Sequence, residues 1–335
     1  MAAINSKKPI FYEALKIELE KKLSDSIQSL KIKKKVSRNN ILYHYTNLNG
    51  LIGIINNQCL FSSNSAYLND KEEFYYGHRL FKEHADKICP LKEDKEKILT
   101  DEIVKILNSK VTSYHYATCF SLEGDLLSQW RAYADDGKGI SIGFDSKKIA
   151  EAFEPKASGV YIVYDEATQL KAVEKIFDVT FDFYISKLLI LEKLEDKNMF
   201  QSIAEEINEI FDKYIGQFKH SSFKEEREYR FDLSIDKDIN KSIELSYRVS
   251  RNNLLVPYLH LKTNYHDELE RLITNDSDRS NLDKQYKIKK LPIKEIIIGP
   301  SIDYELNKKS IEGFLKKNGY GDEIEIKKSN VPYRI

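Results

Sequence analysis

The sequence predicts an α+β fold with a mixed β-sheet. Short β-rich runs and amphipathic helical stretches follow one another without the regular strand–helix alternation of a doubly wound sheet. The 335 residues are 41% hydrophobic, which is enough for a substantial core. There is no internal repeat and no Pro- or Gly-rich linker. We therefore predict an N-terminal helical extension, 1–38, and one main domain, 39–335, with a helical insertion at about 165–215.

In the extension and the first half of the domain, predicted helices and strands follow one another. Apolar residues at helical spacing predict a helix over 9–32, and a β-rich run begins at Ile41. Asn47 has the character of a cap for a short helix, and Asp70 with Glu73 forms a capping-box pattern that opens another. The remaining predictions are strands at 60–62, 114–121 and 139–144 and a helix at 91–108.

The second half begins with a long helical stretch, 165–215, with a break near Asp196. The pattern then turns mainly to strands, with a loop expected at 275–283. We predict strands at 223–233, 243–248, 254–261, 294–298 and 323–326, and a helix at 303–317.

Composition excludes several classes of protein. The 53 basic and 53 acidic residues cancel, so any nucleic-acid contact would come from a local patch and not from the whole surface. Three widely spaced cysteines form neither a disulfide framework nor a metal motif, and the histidines lack ligand spacing. We found no apolar run of membrane-spanning length and no signal peptide. The sequence predicts a cytoplasmic, metal-free protein that does not associate with membranes.

The segment 223–233 holds the richest set of charged side chains. If all of it were a strand, Arg227, Tyr229 and Phe231 would share a core face. The other face would carry only charged residues: Glu226, Glu228, Arg230 and Asp232. Such a face either meets solvent or lines a polar cleft, and spacing alone does not choose between the two.

Other polar residues have equally ordinary explanations. His44, on a short predicted strand, is compatible with a core histidine as well as a functional one. Trp130 and Tyr133 lie three apart on a predicted helix and would pack together, leaving Ser128 and Arg131 exposed.

The order of these segments resembles a widespread bacterial family of uncharacterised function over about 41–334. That family in turn resembles the ADP-ribosyltransferase superfamily. The motifs that carry the resemblance are His44-Tyr-Thr46, Leu68-Asn-Asp70, Cys119-Phe-Ser121, Leu127-Ser-Gln-Trp-Arg-Ala-Tyr133, Gly139 to Phe144, Glu226-Arg-Glu228-Tyr-Arg230, Ile298-Gly-Pro300 and Val331-Pro-Tyr-Arg334.

The resemblance implies a mostly antiparallel, split β-sheet of ADP-ribosyltransferase type that binds NAD as co-substrate. It implies that Glu228 bonds the ribose 2′-hydroxyl and that Glu226 activates the acceptor. His44 would hold the adenosine-side ribose. Tyr67, or alternatively Tyr45, would stack on nicotinamide. The implied NAD-binding set also includes Thr46, Ser128 and Arg131, with Arg131 or Arg230 on the pyrophosphate.

The implied function is transfer of ADP-ribose from NAD to a macromolecular acceptor, nucleic acid or protein, in a toxin or antiviral-defence setting. An antitoxin-like partner is a further expectation. Two alternatives stay open: NAD hydrolysis at the same site, and a non-catalytic module that binds a nucleotide or a partner.

Overall fold

The computed structural model describes residues 8–30, 32, 40–67, 73–108, 113–153, 157–192, 198–236, 245–250, 253–263 and 290–333. The helices are α1 (Lys8–Ile27), α2 (Leu48–Asn57), α3 (Glu73–Ile88), α4 (Asp94–Asn108), α5 (Leu127–Tyr133), α6 (Ser146–Phe153), α7 (Glu166–Leu191), α8 (Met199–Ile215) and α9 (Tyr304–Lys317). The strands are β1 (Ile41–Thr46), β2 (Cys59–Asn64), β3 (Ser113–Ser121), β4 (Ile140–Asp145), β5 (Ser158–Tyr161), β6 (Glu228–Asp236), β7 (Ser246–Val249), β8 (Leu255–Lys262), β9 (Ile293–Ile298) and β10 (Glu325–Lys328).

Several helices begin at the side-chain caps that the sequence supplies. Asn47 accepts a hydrogen bond from the Gly50 amide at 2.8 Å and starts α2, as predicted. Asp165 and Asp303 cap α7 and α9 in the same way. The predicted cap at Asp70 and the predicted loop at 275–283 lie outside the described residues.

The strands form one mixed, mostly antiparallel sheet in the order β10-β9-β4-β1-β3-β2-β8-β7, with β6 joining β3 to β5. Among the described ladders, β9–β10 is parallel and the rest are antiparallel. This confirms the α+β class and the mostly antiparallel sheet with flanking helices.

The sheet forks at β3. One edge of β3 pairs along its whole length with β6, from Ser113 opposite Asp236 to Ser121 opposite Glu228. The other edge pairs with β1 at Ser121 and with β2 only at Tyr116 and Ala117. Two arms therefore leave the same edge of β3, one through β1 and the other through β2.

The register assigns side chains to two faces of the sheet. Ser121, Cys119 and Ala117 lie opposite Glu228, Arg230 and Asp232, so these residues share one face, which we call the Glu228 face. Phe120, Tyr229 and Phe231 occupy the other face. Because Tyr43 lies opposite Ser121, His44 belongs to the Phe120 side.

The structure has two large apolar cores. The Phe120 side packs against α2, α6 and α9, with Phe144, Phe153 and Phe231 at its centre. The second core lies among α1, α3, α4, α7 and α8, where Phe81 stacks on Phe211 at 4.4 Å. Leu15, Leu19 and Leu23 of α1 are buried in that core, so α1 is an integral part of the helical layer. No helix in the described ranges is both long and apolar enough to cross a membrane.

Two predicted strands need correction. Residues Ser221–Glu226 form a 3-10 helix, and Arg227 adopts left-handed backbone angles (φ 46°, ψ 52°), so β6 begins only at Glu228. Arg227 is exposed, not part of the core face. The last strand is Glu325–Lys328 instead of 323–326, because it pairs with β9 from Glu295 to Ile298.

Candidate functional site

Four buried or half-buried charges meet where the 3-10 helix gives way to β6. We call Lys219, Glu226, Glu228 and Arg230 the carboxylate cluster. Lys219 Nζ lies 2.6 Å from Glu226 Oε2 and 3.0 Å from Glu228 Oε2. Arg230 donates to Glu228 Oε1 from Nη2 at 2.7 Å and from Nε at 2.9 Å. The charged face of this segment is therefore largely covered, with Glu228 and Arg230 buried and Glu226 half-buried.

Glu228 is the inner carboxylate, and its side chain is 5% exposed. Burial by itself would raise its pKa, but the charges of Arg230 and Lys219 hold the pKa at about 2. A hydrogen bond from the Cys119 thiol lowers the pKa further. Glu228 is thus ionised at neutral pH, with both oxygens engaged by cations.

Glu226 is the outer carboxylate, and its side chain is 16% exposed. Burial raises its pKa above the ordinary value, and the neighbouring Glu228 charge adds to the rise, against the opposing charge of Lys219. The Tyr133 hydroxyl donates to Glu226 Oε1 at 3.0 Å. Glu226 does not reach this position by the alternation of side chains along a strand, because it lies at the end of the 3-10 helix before β6. The Ser121 hydroxyl donates to the Glu226 carbonyl at 2.8 Å and fixes the end of the 3-10 helix.

Lys219 and Tyr164 both contact Glu228, and neither was predicted from the sequence as a site residue. Lys219 follows α8 after a short turn and belongs to none of the motifs, yet it joins the two carboxylates. The Tyr164 hydroxyl accepts a hydrogen bond from the Glu228 amide at 3.0 Å, and burial raises the pKa of that phenol. Tyrosine and lysine are frequent in this chain, and neither residue stands at a spacing that marks it.

The ionic network continues along β6 to a buried histidine. His115 Nδ1 lies 3.3 Å from Asp232 Oδ2. Burial alone would lower the pKa of His115, but the Asp232 carboxylate, helped by Asp212 on α8, raises it. The Asp212 carboxylate on α8 thus favours the positive charge of His115 on β3.

His44 and Thr46 lie on the other side of the sheet from Glu228. His44 Nδ1 is 3.0 Å from the Cys119 carbonyl, inside the fork between β1 and β2, and burial lowers the pKa of the imidazole. Thr46 packs against α2, where a Cβ on Gly50 would fall 2.0 Å from its Oγ1. Cys119 lies between His44 and Glu228: its carbonyl bonds the histidine and its thiol bonds the carboxylate.

Tyr45 and Trp130 stabilise the loop between β3 and α5. Tyr45 donates to the Glu123 carbonyl at 2.9 Å and accepts from the Leu126 amide at 3.0 Å, and its ring meets Trp130 edge-on at 5.0 Å. Trp130 Nε1 donates to Asp125 at 2.7 Å. Tyr45 is buried, so its ring is not open to stack on a ligand.

The remaining predicted NAD-binding residues are more accessible. Tyr67 is exposed at the end of a 3-10 helix that follows β2. On α5, Ser128 is half-buried, and the exposed Arg131 donates a hydrogen bond to the Tyr333 hydroxyl. These three side chains offer an aromatic ring, a hydroxyl and a guanidinium. Within the described ranges no group of three or more His, Cys, Asp or Glu residues has the geometry of a metal site.

A family model described as a protein of unknown function, DUF2971, matches residues 129–231. The matched segment runs from α5 into β6 and contains all four residues of the carboxylate cluster. Searches of curated proteins and of solved structures gave no match.

Proposed function

We propose that the protein breaks the nicotinamide–ribose bond of NAD and transfers ADP-ribose to a macromolecular acceptor, with Glu226 and Glu228 as the working carboxylates. The observation that supports this is the pair of opposite pKa shifts: the pKa of Glu228 is about 2, while that of Glu226 lies above its ordinary value. Neighbouring carboxyl groups whose pKa values are pushed apart are typical of sites that need one permanent anion and one proton acceptor.

The chemistry assigns each carboxylate one task. As the C1′–N bond breaks, its electron pair leaves with neutral nicotinamide and positive charge grows on the ribose. An ionised carboxylate stabilises that charge electrostatically, and the buried Glu228 supplies a negative charge over the whole neutral pH range. The acceptor nucleophile then bonds to C1′ and gives up its proton to Glu226, a base step worth about 10²–10⁴-fold in rate.

Lys219 and Tyr133 position Glu226 for this step. Lys219 fixes one oxygen of Glu226 and Tyr133 fixes the other, so the carboxylate is oriented before a substrate arrives. Because Glu226 is the more exposed of the two carboxylates, we assign it the direct contact with the acceptor and Glu228 the charge behind it.

The test is nicotinamide release from NAD by wild type and by Glu226→Gln, with RNA, DNA or cell lysate added. We expect the variant to lose about 10²–10⁴-fold in rate. The matched control is Glu225→Gln, which changes an exposed neighbour and should release nicotinamide at the wild-type rate. Equal activity of wild type and Glu226→Gln would refute the role of Glu226.

The pH profile gives a second check on the same role. A base must be deprotonated, so the rate should rise with pH through the raised pKa of Glu226, above its ordinary value of 4.5. Free ADP-ribose without a modified polymer would indicate NAD hydrolysis at the same site.

One observation favours a second candidate function, a non-catalytic module that binds a nucleotide or a partner. Both oxygens of Glu228 are occupied by Arg230 and Lys219, as in a purely structural ion network. Calorimetric binding of NAD without release of nicotinamide would support this candidate over the transferase.

A further inference from the structure

Three aromatic rings lie together on the arm of the sheet formed by β2, β8 and β7. Phe61 stacks on Tyr258 with centroids 4.1 Å apart and an angle of 33°. His260 meets Phe61 at 5.5 Å and Tyr258 at 5.2 Å. Phe61 is 36% exposed and His260 is exposed, while Tyr258 supports them from beneath. We call these three residues the aromatic platform.

The register places the aromatic platform on the Glu228 face. Ser63 lies opposite both Ala117 and Tyr258, and Phe61 lies opposite His260, so these side chains share the face of Cys119, Arg230 and Glu228. Arg248 of β7 projects from the same face, and its Nη2 donates to Ser63 Oγ at 3.1 Å.

The three strands under the aromatic platform carry positive charge only. Their eighteen residues, 59–64, 246–249 and 255–262, contain Arg248 and Lys262 but no aspartate or glutamate. The whole chain has as many acidic as basic residues, 53 of each, so this arm is a local departure from neutrality. Exposed rings flanked by cations are complementary to a planar base linked to phosphate.

The spacing of the two cations indicates a ligand longer than one nucleotide. Arg248 bonds to Ser63, which is opposite Tyr258, and Lys262 lies four residues further along β8 on the same face. Four residues of strand span roughly 13 Å. Backbone phosphates recur with each nucleotide, so a strand of linked nucleotides places phosphates beside both cations, whereas a single nucleotide monophosphate does not.

We propose that the aromatic platform, with Arg248 and Lys262, binds single-stranded nucleic acid. Bases stack on Phe61 and His260, and the two cations neutralise phosphates on either side of the rings. The binding stands independently of NAD chemistry. Only its consequence rests on the proposed function: a strand bound here lies on the Glu228 face of the sheet and is then the acceptor.

The test measures anisotropy of a fluorescent twelve-nucleotide RNA, and of the same sequence as single-stranded DNA, with the full chain and no NAD. Phe61→Ala should weaken binding about 5- to 150-fold, the usual effect of losing one stacking ring. The matched control is Tyr247→Ala. Tyr247 is an exposed aromatic on β7 whose side chain projects from the opposite face, and its loss should change binding less than about twofold.

Salt dependence tests the two cations separately. Two neutralised phosphates predict a slope of about −1.4 in log affinity against log salt, so binding falls about sevenfold between 50 and 200 mM salt. Arg248→Ala and Lys262→Ala should each halve that slope. Circular dichroism and melting curves confirm that each variant is folded before its affinity is compared.

Three results would overturn the proposal. The first is no binding by wild type at 50 mM salt, and the second is an equal loss of affinity in Phe61→Ala and Tyr247→Ala. The third is competition by AMP at the same concentrations as the oligonucleotide, which would reduce the surface to a site for one nucleotide. Because the assay contains no NAD, failure of nicotinamide release leaves all three readouts unaffected.

Discussion

Glu228→Gln is expected to destabilise the fold as well as the chemistry. Glu228 is the carboxylate between two buried cations, at 2.7 Å from Arg230 and 3.0 Å from Lys219. Glutamine keeps the shape of the side chain but removes its charge, and its amide group is a donor placed beside other donors. Arg230 then loses the anion that compensates it, in a position where the side chain is 0% exposed.

The size of the effect follows from the burial of the ion pair. Removing one partner of a buried ion pair typically costs about 3–5 kcal/mol. The lowered pKa of Glu228 has the matching sign, because Arg230 and Lys219 stabilise its ionised form at neutral pH. We therefore expect the free energy of unfolding of Glu228→Gln to fall by about 3 kcal/mol.

Urea unfolding at pH 7, followed by circular dichroism, measures this loss directly. Glu225→Gln is the control, because the same chemical change at an exposed neighbour should stay within about 0.5 kcal/mol of wild type. The stabilisation that Glu228 contributes also depends on pH. The pKa of Glu228 is lower in the folded state, so its contribution is present above pH 4.5 and disappears as pH falls towards 2.

A stability of Glu228→Gln within 0.5 kcal/mol of wild type would refute this reasoning. It would mean that Arg230 and Lys219 are compensated by Glu226 or Asp232 alone, and that Glu228 is not the central anion of the network. The wild-type and variant curves should converge between pH 4.5 and 2; curves that stay parallel there would contradict the pKa assignment.

Three further substitutions, one of them with a matched control, test the packing and the rest of the ionic network. His115→Gln should remove stability that is present below pH 6.5 and lost at higher pH, because the pKa of His115 is raised in the folded state. The measurement is the free energy of unfolding of the variant and of wild type from pH 5 to 8. Identical pH curves would contradict this expectation. Gly77→Ala should cost about 1–3 kcal/mol, because a Cβ there would lie 2.4 Å from the Ile215 carbonyl oxygen. The control Gly313→Ala places its Cβ in open space beside its helix and should be neutral or stabilising by up to about 1 kcal/mol. Equal effects of the two changes in urea unfolding would refute the close contact at Gly77. Trp130→Phe should cost about 1–3 kcal/mol, because Asp125 loses the indole donor at 2.7 Å, and a melting temperature equal to that of wild type would contradict it.

Most helices and strands could be predicted because local signals and tertiary packing agree. Asn47 caps α2 as its side chain predicts, and the apolar spacing of α7 and α8 gives helices that bury one face. The break between these helices also follows the prediction, since α7 ends at Leu191 and α8 begins at Met199.

The candidate site could be predicted only in part. The alternation of side chains predicted a strand from 223 onwards, with Glu226 and Glu228 on one face of it. The two residues do lie close together, but not because they share a strand. The left-handed turn at Arg227 and the preceding 3-10 helix bring Glu226 there instead. A single sequence does not reveal that Lys219 bridges the two carboxylates, because that contact depends on how the turn after α8 packs against β6.

The sequence also could not predict that the charged face is largely buried. Charged residues on alternate positions are compatible with a solvated strand, and the partners that make burial tolerable come from distant segments. Lys219, which follows α8, supplies that compensation for Glu226 and Glu228. The faces of β1 were set by register, which separates His44 and Thr46 from Glu228.

The most direct test of the central claim is nicotinamide release from NAD by wild type, Glu226→Gln and Glu225→Gln, each shown to be folded by its melting curve. We expect release by wild type and by Glu225→Gln, and a rate at least about a hundredfold lower in Glu226→Gln under conditions where that variant is folded. No release by folded wild type with RNA, DNA or lysate present, or equal rates in all three proteins, would contradict it.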